Sequence, residues 1–299
     1  MRRLADEQVT VPTDRGAHAG LKVASLVAGM ITGADSIDDM ALLRHGGMAT
    51  LFTGSYAPST LGSFLRAFTF GHVRQLDAVA ARVTANLAAM TPLLPGADQV
   101  AYVDIDDTVR QTYGYAKQGV GYGYTGIKGL NALLATVTTP LSAPVIVASR
   151  LRKGSANSAR GAARLVSDAL KTTRACGGTG LVIVRADSAF YSRDVIAAVR
   201  RAGARFSITA RQDPAVRQAI ASIPDDGWTT IRYPRAVFDE QLGQWISDAQ
   251  VAEVPLTAFT SRPRSQQTTG RLIVRRVRDA NPSHLVPDEQ GELFPVWRL

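Results

Sequence analysis

The sequence predicts an α/β protein built around one mixed sheet, with a helical segment before the sheet and a β-rich segment after it. Three observations predict this class. Helical periodicity dominates the first ~97 residues, the middle segment alternates strand and helix patterns in the order βββαβαβ, and short strand patterns without intervening helices follow from about residue 212. The predicted domains are therefore residues 1–97, 98–211 and 212–299.

The first segment consists of short helical patterns separated by glycines. Residues 21–31 are apolar almost all round, and Ser36 to Asp39 offer a cap for a helix over residues 40–44. Residues 61, 64, 65 and 68 form an apolar i, i+3, i+4, i+7 stripe behind Pro58, and a further helix carries Leu76, Val79 and Val83. Such an arrangement fits a helix-turn-helix DNA-binding region as well as an ordinary bundle.

The amino terminus superficially resembles a signal peptide, because Met1-Arg2-Arg3 precedes an apolar run at residues 23–31. The run begins late, acidic residues intervene, and nine residues are too few to span a membrane. The run therefore indicates a buried helix. A single cysteine and four scattered histidines support neither a disulfide framework nor a zinc site, which fits a reducing cytoplasm and no membrane.

The middle segment has the clearest order of elements. Its predicted strands are residues 100–106, 130–137, 145–151, 181–184 and 206–209, with helices capped by Ser158 and Ser192 around the fourth strand. Three meandering strands followed by strands in helical crossovers form one mixed sheet covered by helices. This is the ribonuclease-H-like order of elements.

The third segment begins with a short helix near residues 216–223. Strand patterns at residues 228–233, 245–254 and 272–277 then follow one another among prolines and polar turns. This indicates a β-rich insertion or appended domain.

Positive charge is concentrated in the middle segment. Residues 100–211 carry sixteen Lys/Arg against six Asp, whereas both ends are near neutral within a chain of net charge +9. Such a concentration is typical of a polyanion-binding surface, although a merely soluble basic domain would show it too. The candidate DNA-binding residues are Lys117, Lys128, Arg150, Arg152 and Lys153.

Carboxylates are scarce in this basic segment, and several stand at strand ends. Asp104 and Asp106 are two residues apart on a strand, so both emerge on one face of the sheet, and Asp187 follows the fourth strand. If these strands are neighbours, the carboxylates converge in a site that suits Mg²⁺. An Asp before a Ser-containing turn is also common turn chemistry. Asp168 and Asp194 lie on predicted helices, as a surface residue and a first-turn partner of the helix dipole.

The run Gly121-Tyr122-Gly123-Tyr124-Thr125-Gly126 matches the dinucleotide fingerprint, but its context does not. It does not join a strand directly to a helix, and no acidic residue follows about 20 residues later. We therefore expect no cofactor site there, but a flexible turn. The nearby tyrosines, Tyr113, Tyr115, Tyr122 and Tyr124, either pack or stack on unpaired bases.

The same residues carry a family resemblance. The runs at residues 103–108, 113–114, 117–119 and 185–191, together with residues 33–39, 58–62, 129–131 and 231–234, resemble the bacterial insertion-sequence transposases of family thirteen-eighty, a DDE group. The resemblance covers nearly the whole chain.

The resemblance implies a ribonuclease-H-like catalytic domain interrupted by a β-rich insertion. It implies Mg²⁺- or Mn²⁺-dependent cleavage and strand transfer on double-stranded DNA, at terminal inverted repeats and a target, by a homo-oligomer on DNA with two metal ions per site. The first catalytic acid would be Asp104 or Asp106, with Asp106 favoured because related transposases often show Asp-x-Thr and Thr108 follows it. The second would be Asp187.

The sequence departs from the family pattern at its carboxyl end. The catalytic Glu of the family lies on a helix after the insertion, and this sequence stops at Leu299, with Glu289 and Glu292 in a predicted turn. We therefore expect a chain truncated before that helix and inactive alone. The alternatives are a non-catalytic DNA-binding remnant or regulator of transposition, and an active nuclease that recruits Glu289 or Glu292.

Overall fold

The chain forms two compact units, residues 1–209 and residues 210–299. The structure, a computed structural model, describes residues 1–113, 117–232, 237–240, 244–246 and 249–278, together with three two-residue strands after them. Among the described residues, no helix combines the length and the apolar character needed to cross a membrane.

The first unit begins with five helices, four of which contribute buried side chains to a small apolar core. They are α1 (Arg2–Gln8), α2 (Ala19–Ile31), α3 (Met48–Leu51), α4 (Pro58–Arg66) and α5 (Phe70–Met90). The expected helix after Ser36 is a 3-10 helix, Asp38–Arg44, and α4 begins at a proline without a side-chain cap. Leu61 and Phe64 of the predicted apolar stripe are fully buried in this core.

One charged side chain, Lys22, lies in this helical core. It is 4% exposed, its Nζ donates a hydrogen bond of 2.8 Å to the carbonyl of Arg15, and it lies over the rings of Tyr56 and Phe64. Burial lowers the pKa of Lys22, against the opposing attraction of Asp14. The ammonium group therefore fastens the turn Asp14–Gly16 to α2.

The rest of the first unit is a mixed sheet with helices, as the sequence predicts. Its elements are β1 (Val100–Gln111), β2 (Gly121–Tyr122), β3 (Lys128–Thr138), β4 (Val145–Lys153), α6 (Ala162–Ala175), β5 (Leu181–Ala186), α7 (Arg193–Arg201) and β6 (Arg205–Ile208). The strand order is β2-β3-β1-β5-β6, with β4 also paired to β3. β1, β5 and β6 run parallel, and β3 is antiparallel to β1, β2 and β4.

Two local features differ from the expectation. β1 continues to Gln111, well past the predicted end at residue 106, because β3 pairs with it along that length. The predicted cap at Ser158 is wrong, since α6 begins only at Ala162 and the Ser158 hydroxyl instead donates to Asp107. The predicted cap at Ser192 is confirmed, because its Oγ accepts the backbone N–H of Val195.

The two faces of the sheet differ in what they bury. Val103 and Ile105 of β1, Leu133 of β3 and Val184 of β5 belong to the core that includes residues of α6 and α7. The alternate residues of β1 and β3 are half-buried or exposed. Because side chains alternate along a strand, β1 presents Asp104 and Asp106 on the face opposite this core.

The described residues of the second unit, residues 210–299, lie mostly in strands, after one short helix at its amino-terminal end. It contains α8 (Pro214–Ala221), β7 (Thr229–Ile231), β8 (Val237–Asp239), β9 (Gln244–Ile246), β10 (Ala249–Ala258), β11 (Thr268–Arg278), β12 (Val286–Pro287), β13 (Leu293–Phe294) and β14 (Trp297–Arg298). A four-stranded sheet has the order β14-β11-β10-β7, and β8-β9 and β12-β13 form separate pairs. Glu289 and Glu292 lie outside the described residues.

Candidate carboxylate site and basic surface

Asp106 and Asp187 lie at neighbouring positions where the parallel pairing of β1 and β5 ends. The last residues paired between β1 and β5 are Ile105 and Ala186. Asp106 follows Ile105 in the sequence, and Asp187 follows Ala186. Neighbouring strands lie about 4.8 Å apart. Both side chains are exposed, so the register brings two accessible carboxylates to one place.

Each of these carboxylates is oriented by a backbone N–H group. Oδ1 of Asp106 accepts the N–H of Asp107 at 2.7 Å, and Oδ1 of Asp187 accepts the N–H of Ala189 at 2.9 Å. Asp187 thereby caps a short 3-10 helix, Ser188–Phe190, which is anchored by the fully buried ring of Phe190. The turn chemistry considered for Asp187 is therefore present, and it orients the carboxylate without burying it.

Asp104 lies on the same face of β1 as Asp106, but it is engaged by an arginine. Asp104 and Arg185 are directly paired across β1 and β5, and the guanidinium donates from Nε and one terminal nitrogen to the two carboxylate oxygens, each at 2.6 Å. Arg185 also lies 4.7 Å from the ring centre of Tyr102. The hydrogen bond to Asp104 raises the pKa of Arg185. The positive charge of Arg185 thus compensates the negative charge of Asp104 in a two-point ion pair.

Asp107 points to the face of β1 opposite the one that carries Asp104 and Asp106. Its side chain is 5% exposed and accepts hydrogen bonds from Arg152 (2.9 Å), Ser158 (3.0 Å) and Asn131 (2.5 Å). Arg152 is itself 8% exposed and donates to the carbonyls of three residues in the loop before α6, Asn157, Ser158 and Arg160. No role for Asp107 is predicted from the sequence, although its spacing of two residues from Ile105 indicates the buried face of β1.

The five candidate DNA-binding residues separate by face and environment. Lys128 is half-buried and paired with Tyr122, and Lys153 is exposed and paired with Leu130. Lys117 is exposed in the loop before β2. Arg152 is held by Asp107, and Arg150 lies 3.6 Å from Asp168. The structure gives both arginines partners within the protein. A contact of either with DNA stays a prediction.

Asp168 does more than occupy a surface position on α6. It is 32% exposed and lies within 3.1 to 3.6 Å of three arginines, Arg74 of α5, Arg150 of β4 and Arg164 of α6. Asp77 of α5 accepts a hydrogen bond from Ser149 of β4 at 3.1 Å and pairs with Arg74. These contacts join the longest amino-terminal helix to the sheet.

The glycine-rich run near β2 fits a crossing of backbones. A Cβ on Gly154 would lie 2.1 Å from the carbonyl oxygen of Gly129 and 2.3 Å from that of Gly121. Three chain segments therefore approach so closely that side chains are excluded.

The neighbouring tyrosines do not pack, since Tyr113, Tyr122 and Tyr124 are 74%, 66% and 74% exposed. Tyr115 lies outside the described residues.

The site contains two exposed carboxylates in close register. Among the described residues, no group of three or more His, Cys, Asp or Glu side chains is arranged to hold a metal ion.

Comparisons with known proteins find one transposase family model and several solved transposase structures. The family model described as transposase DDE domain, group 1, matches residues 18–285. A search of curated proteins finds no match. One similar solved structure is a piggyBac transposase synaptic complex with hairpin DNA, at 12% identity and a TM-score of 0.35, covering 88% of this chain and 52% of that chain. Another is a Mos1 strand transfer complex, at 13% identity and a TM-score of 0.22, covering 70% and 65%. The chain thus spans about half the length of the piggyBac chain.

Proposed function

We propose a function from the premise that this chain belongs to the transposase DDE domain family, group 1, whose model matches residues 18–285. The protein is an insertion-sequence transposase of the family-thirteen-eighty type. It binds terminal inverted repeats as a homo-oligomer on DNA, and its ribonuclease-H-like sheet cleaves and joins strands with Mg²⁺ or Mn²⁺. The observation that carries the proposal is the placement of Asp106 and Asp187, one residue beyond the last paired residues of adjacent parallel strands.

The two carboxylates fit a hard divalent cation. Both are exposed, both offer only oxygen ligands, and each is oriented through Oδ1 by a backbone N–H group. The chemistry that Mg²⁺ or Mn²⁺ supplies at such carboxylates is activation of the attacking oxygen and stabilisation of the leaving 3′ oxygen. Asp106 and Asp187 would hold the cation, and the chain's basic residues would hold the phosphodiester in place.

The first acid of the pair is Asp106 and not Asp104. Arg185 already engages both carboxylate oxygens of Asp104, so a cation would have to compete with a two-point ion pair there. In the part of the chain that the structure describes, Asp106 forms no ion pair, and its Oδ1 accepts a hydrogen bond from a backbone N–H group. Asp104 instead holds Arg185 in place at the edge of the site.

A cleavage assay with matched variants tests this function. The substrate is a labelled duplex that carries the inverted repeats flanking the coding sequence, incubated with the whole chain and Mg²⁺ or Mn²⁺. The inactivity expected from the sequence predicts no cleavage by the whole chain. A working site at Asp106 and Asp187 predicts metal-dependent strand cleavage that Asp106→Asn and Asp187→Asn abolish and that Asp194→Asn, on the exposed first turn of α7, leaves intact. Cleavage that survives both active-site substitutions would contradict the assignment.

A second candidate function is end binding without chemistry, as in a regulator that occupies element ends. The concentration of sixteen Lys/Arg in residues 100–211 favours it, because such charge binds DNA whether or not a strand is cut. The double variant Asp106→Asn, Asp187→Asn separates the two functions. A regulator keeps its effect on transposition in cells with this variant, whereas a catalyst loses it.

A further inference from the structure

The strand register places a set of basic and aromatic side chains on the same face as Asp106. Arg110 lies two alternations farther along β1, and its partner on β3 is Leu130. Leu130 is paired with Lys153 on β4, and Lys128, two residues before it, is paired with Tyr122 on β2. Directly opposite residues, and residues two apart on a strand, share a face of the sheet.

We call this set the Tyr122 face, defined by Arg110, Tyr122, Lys128 and Lys153. Arg110 is four residues from Asp106, about 13 Å along an extended strand. The Tyr122 face is therefore a continuation of the carboxylate site along one surface of the sheet. Arg150 and Arg152 do not belong to it, because they are paired across β3 and β4 with Leu133 and Asn131, which are buried on the other face.

The side chains of this face are accessible. Tyr122 is 66% exposed as a residue, Arg110 and Lys153 are exposed, and Lys128 is half-buried. A tyrosine this exposed contributes little to a core, and its ring is accessible to a ligand.

The backbone under Tyr122 is held firmly. Gly121, Gly129 and Gly154 bring three chain segments into direct backbone contact, and Gly154 N–H donates to the carbonyl of Gly119 at 2.9 Å. A ring that is exposed on a fixed backbone loses little conformational freedom when a flat ligand stacks on it.

We propose that the Tyr122 face binds an unpaired stretch of the DNA strand that leaves the Asp106–Asp187 site. Tyr122 stacks on one base, and Arg110 and Lys153 contact phosphates. A duplex keeps its bases stacked on each other, whereas an unpaired base offers its flat face to an aromatic ring. This inference rests on the proposed function for the identity of the DNA, but the binding itself requires neither the metal nor cleavage.

Binding of single-stranded DNA in the absence of metal tests the proposal. The probe is a dye-labelled mixed-sequence oligonucleotide, titrated with the whole chain in EDTA and followed by fluorescence anisotropy, with a duplex of the same sequence in parallel. We expect Tyr122→Ala to weaken single-strand binding roughly 5- to 150-fold, and Tyr122→Phe to keep it near wild type, because the ring and not the hydroxyl stacks.

The salt dependence of binding tests the phosphate contacts. Arg110→Gln and Lys153→Gln should each reduce the slope of log affinity against log salt by about 0.7 for a single strand. Lys171→Gln and Arg201→Gln, at exposed positions of α6 and α7, are the matched controls and should leave the slope unchanged. A thermal melt of each variant verifies that the fold is retained.

Two outcomes would overturn the proposal. The first is that Tyr122→Ala binds the single strand as tightly as wild type does. The second is that Tyr122→Ala weakens duplex and single-strand binding equally, which would make the Tyr122 face a duplex contact. Failure of the proposed function looks different. In that case the double variant Asp106→Asn, Asp187→Asn and the wild type would both fail to cleave while the Tyr122-dependent binding persisted.

Discussion

Asp107 and Arg152 form an ion pair of 2.9 Å that is buried directly behind the exposed Asp106. The two consecutive aspartates point to opposite faces of β1, one to the carboxylate site and the other into the protein. Burial lowers the pKa of Arg152, and the adjacent Asp107 opposes that effect. The pair fixes the strand that carries Asp106 and also fixes the loop before α6.

Removal of Arg152 should destabilise the protein strongly. Arg152→Gln leaves the Asp107 carboxylate buried without its cation, and loss of one partner of a buried pair costs roughly 3–5 kcal/mol. The free energy of unfolding, from urea titration, measures this. Arg164→Gln is the matched control, because Arg164 is 70% exposed in its pair with Asp168 and an exposed pair contributes less than about 1 kcal/mol. Equal losses in the two variants would contradict the buried pair.

A methyl group on Gly154 should be poorly tolerated. Its Cβ would lie 2.1 Å from the carbonyl oxygen of Gly129, so the three crossing backbones would have to separate. Overpacking of this kind costs about 1–3 kcal/mol, measured as a loss in the free energy of unfolding. Gly47→Ala is the control, since nothing lies within 4 Å of that Cβ and its φ is −73°. We expect Gly47→Ala to be neutral or stabilising by up to ~1 kcal/mol. A neutral effect of Gly154→Ala would contradict the close approach of the three backbone segments.

Much of the sheet could be predicted from the sequence, because apolar alternation and glycine punctuation are local signals. The alternation around Val103 and Ile105 predicts that Asp104 and Asp106 share one face, and the cap at Ser192 is predictable from the local sequence. The roles of Asp107, Arg152 and Ser158 could not be predicted in this way. They depend on contacts 45 to 51 residues apart in sequence, which no local pattern encodes.

The choice between Asp104 and Asp106 also needed the register. The sequence left both open, with a slight preference from Thr108. The pairing of Asp104 with Arg185 depends on which residues of β1 and β5 lie opposite each other, and a shift by one residue would turn every side chain to the other face. The same register separates Lys128 and Lys153 from Arg150 and Arg152, which composition alone groups together.

The stability of the first unit should depend on pH through Asp77. Burial raises the pKa of Asp77, and Arg74 and Ser149 oppose this, while the nearby Asp168 adds to it. A raised folded-state pKa stabilises the fold below the unfolded value of about 3.9, and this contribution is lost as the pH rises through the folded value.

The substitution Asp77→Asn removes this titration and keeps an acceptor for Ser149. We therefore expect the free energy of unfolding of the variant, relative to wild type, to increase as the pH rises from about 4 towards neutral. Urea titrations at several pH values measure the difference. Asp98→Asn, at an exposed position, controls for the loss of a carboxylate. A difference for Asp77→Asn that is flat or decreases with pH would refute the buried-carboxylate explanation.

Metal binding should distinguish Asp106 from Asp104. We expect Asp106→Asn and Asp187→Asn each to weaken Mn²⁺ binding roughly tenfold or more, since loss of a ligand should cost at least as much as loss of a group that orients one. Asp104→Asn should have a smaller effect, because Arg185 occupies both oxygens of that carboxylate. Titration of the whole chain with Mn²⁺, followed by electron paramagnetic resonance and reversed with EDTA, gives the affinity of each variant without DNA or cleavage.

Arg185→Gln provides the complementary test, since it releases the Asp104 carboxylate and should allow that carboxylate to contribute to Mn²⁺ binding. If Asp104→Asn weakened Mn²⁺ binding as much as Asp106→Asn does, the first acid would have to be reassigned to Asp104.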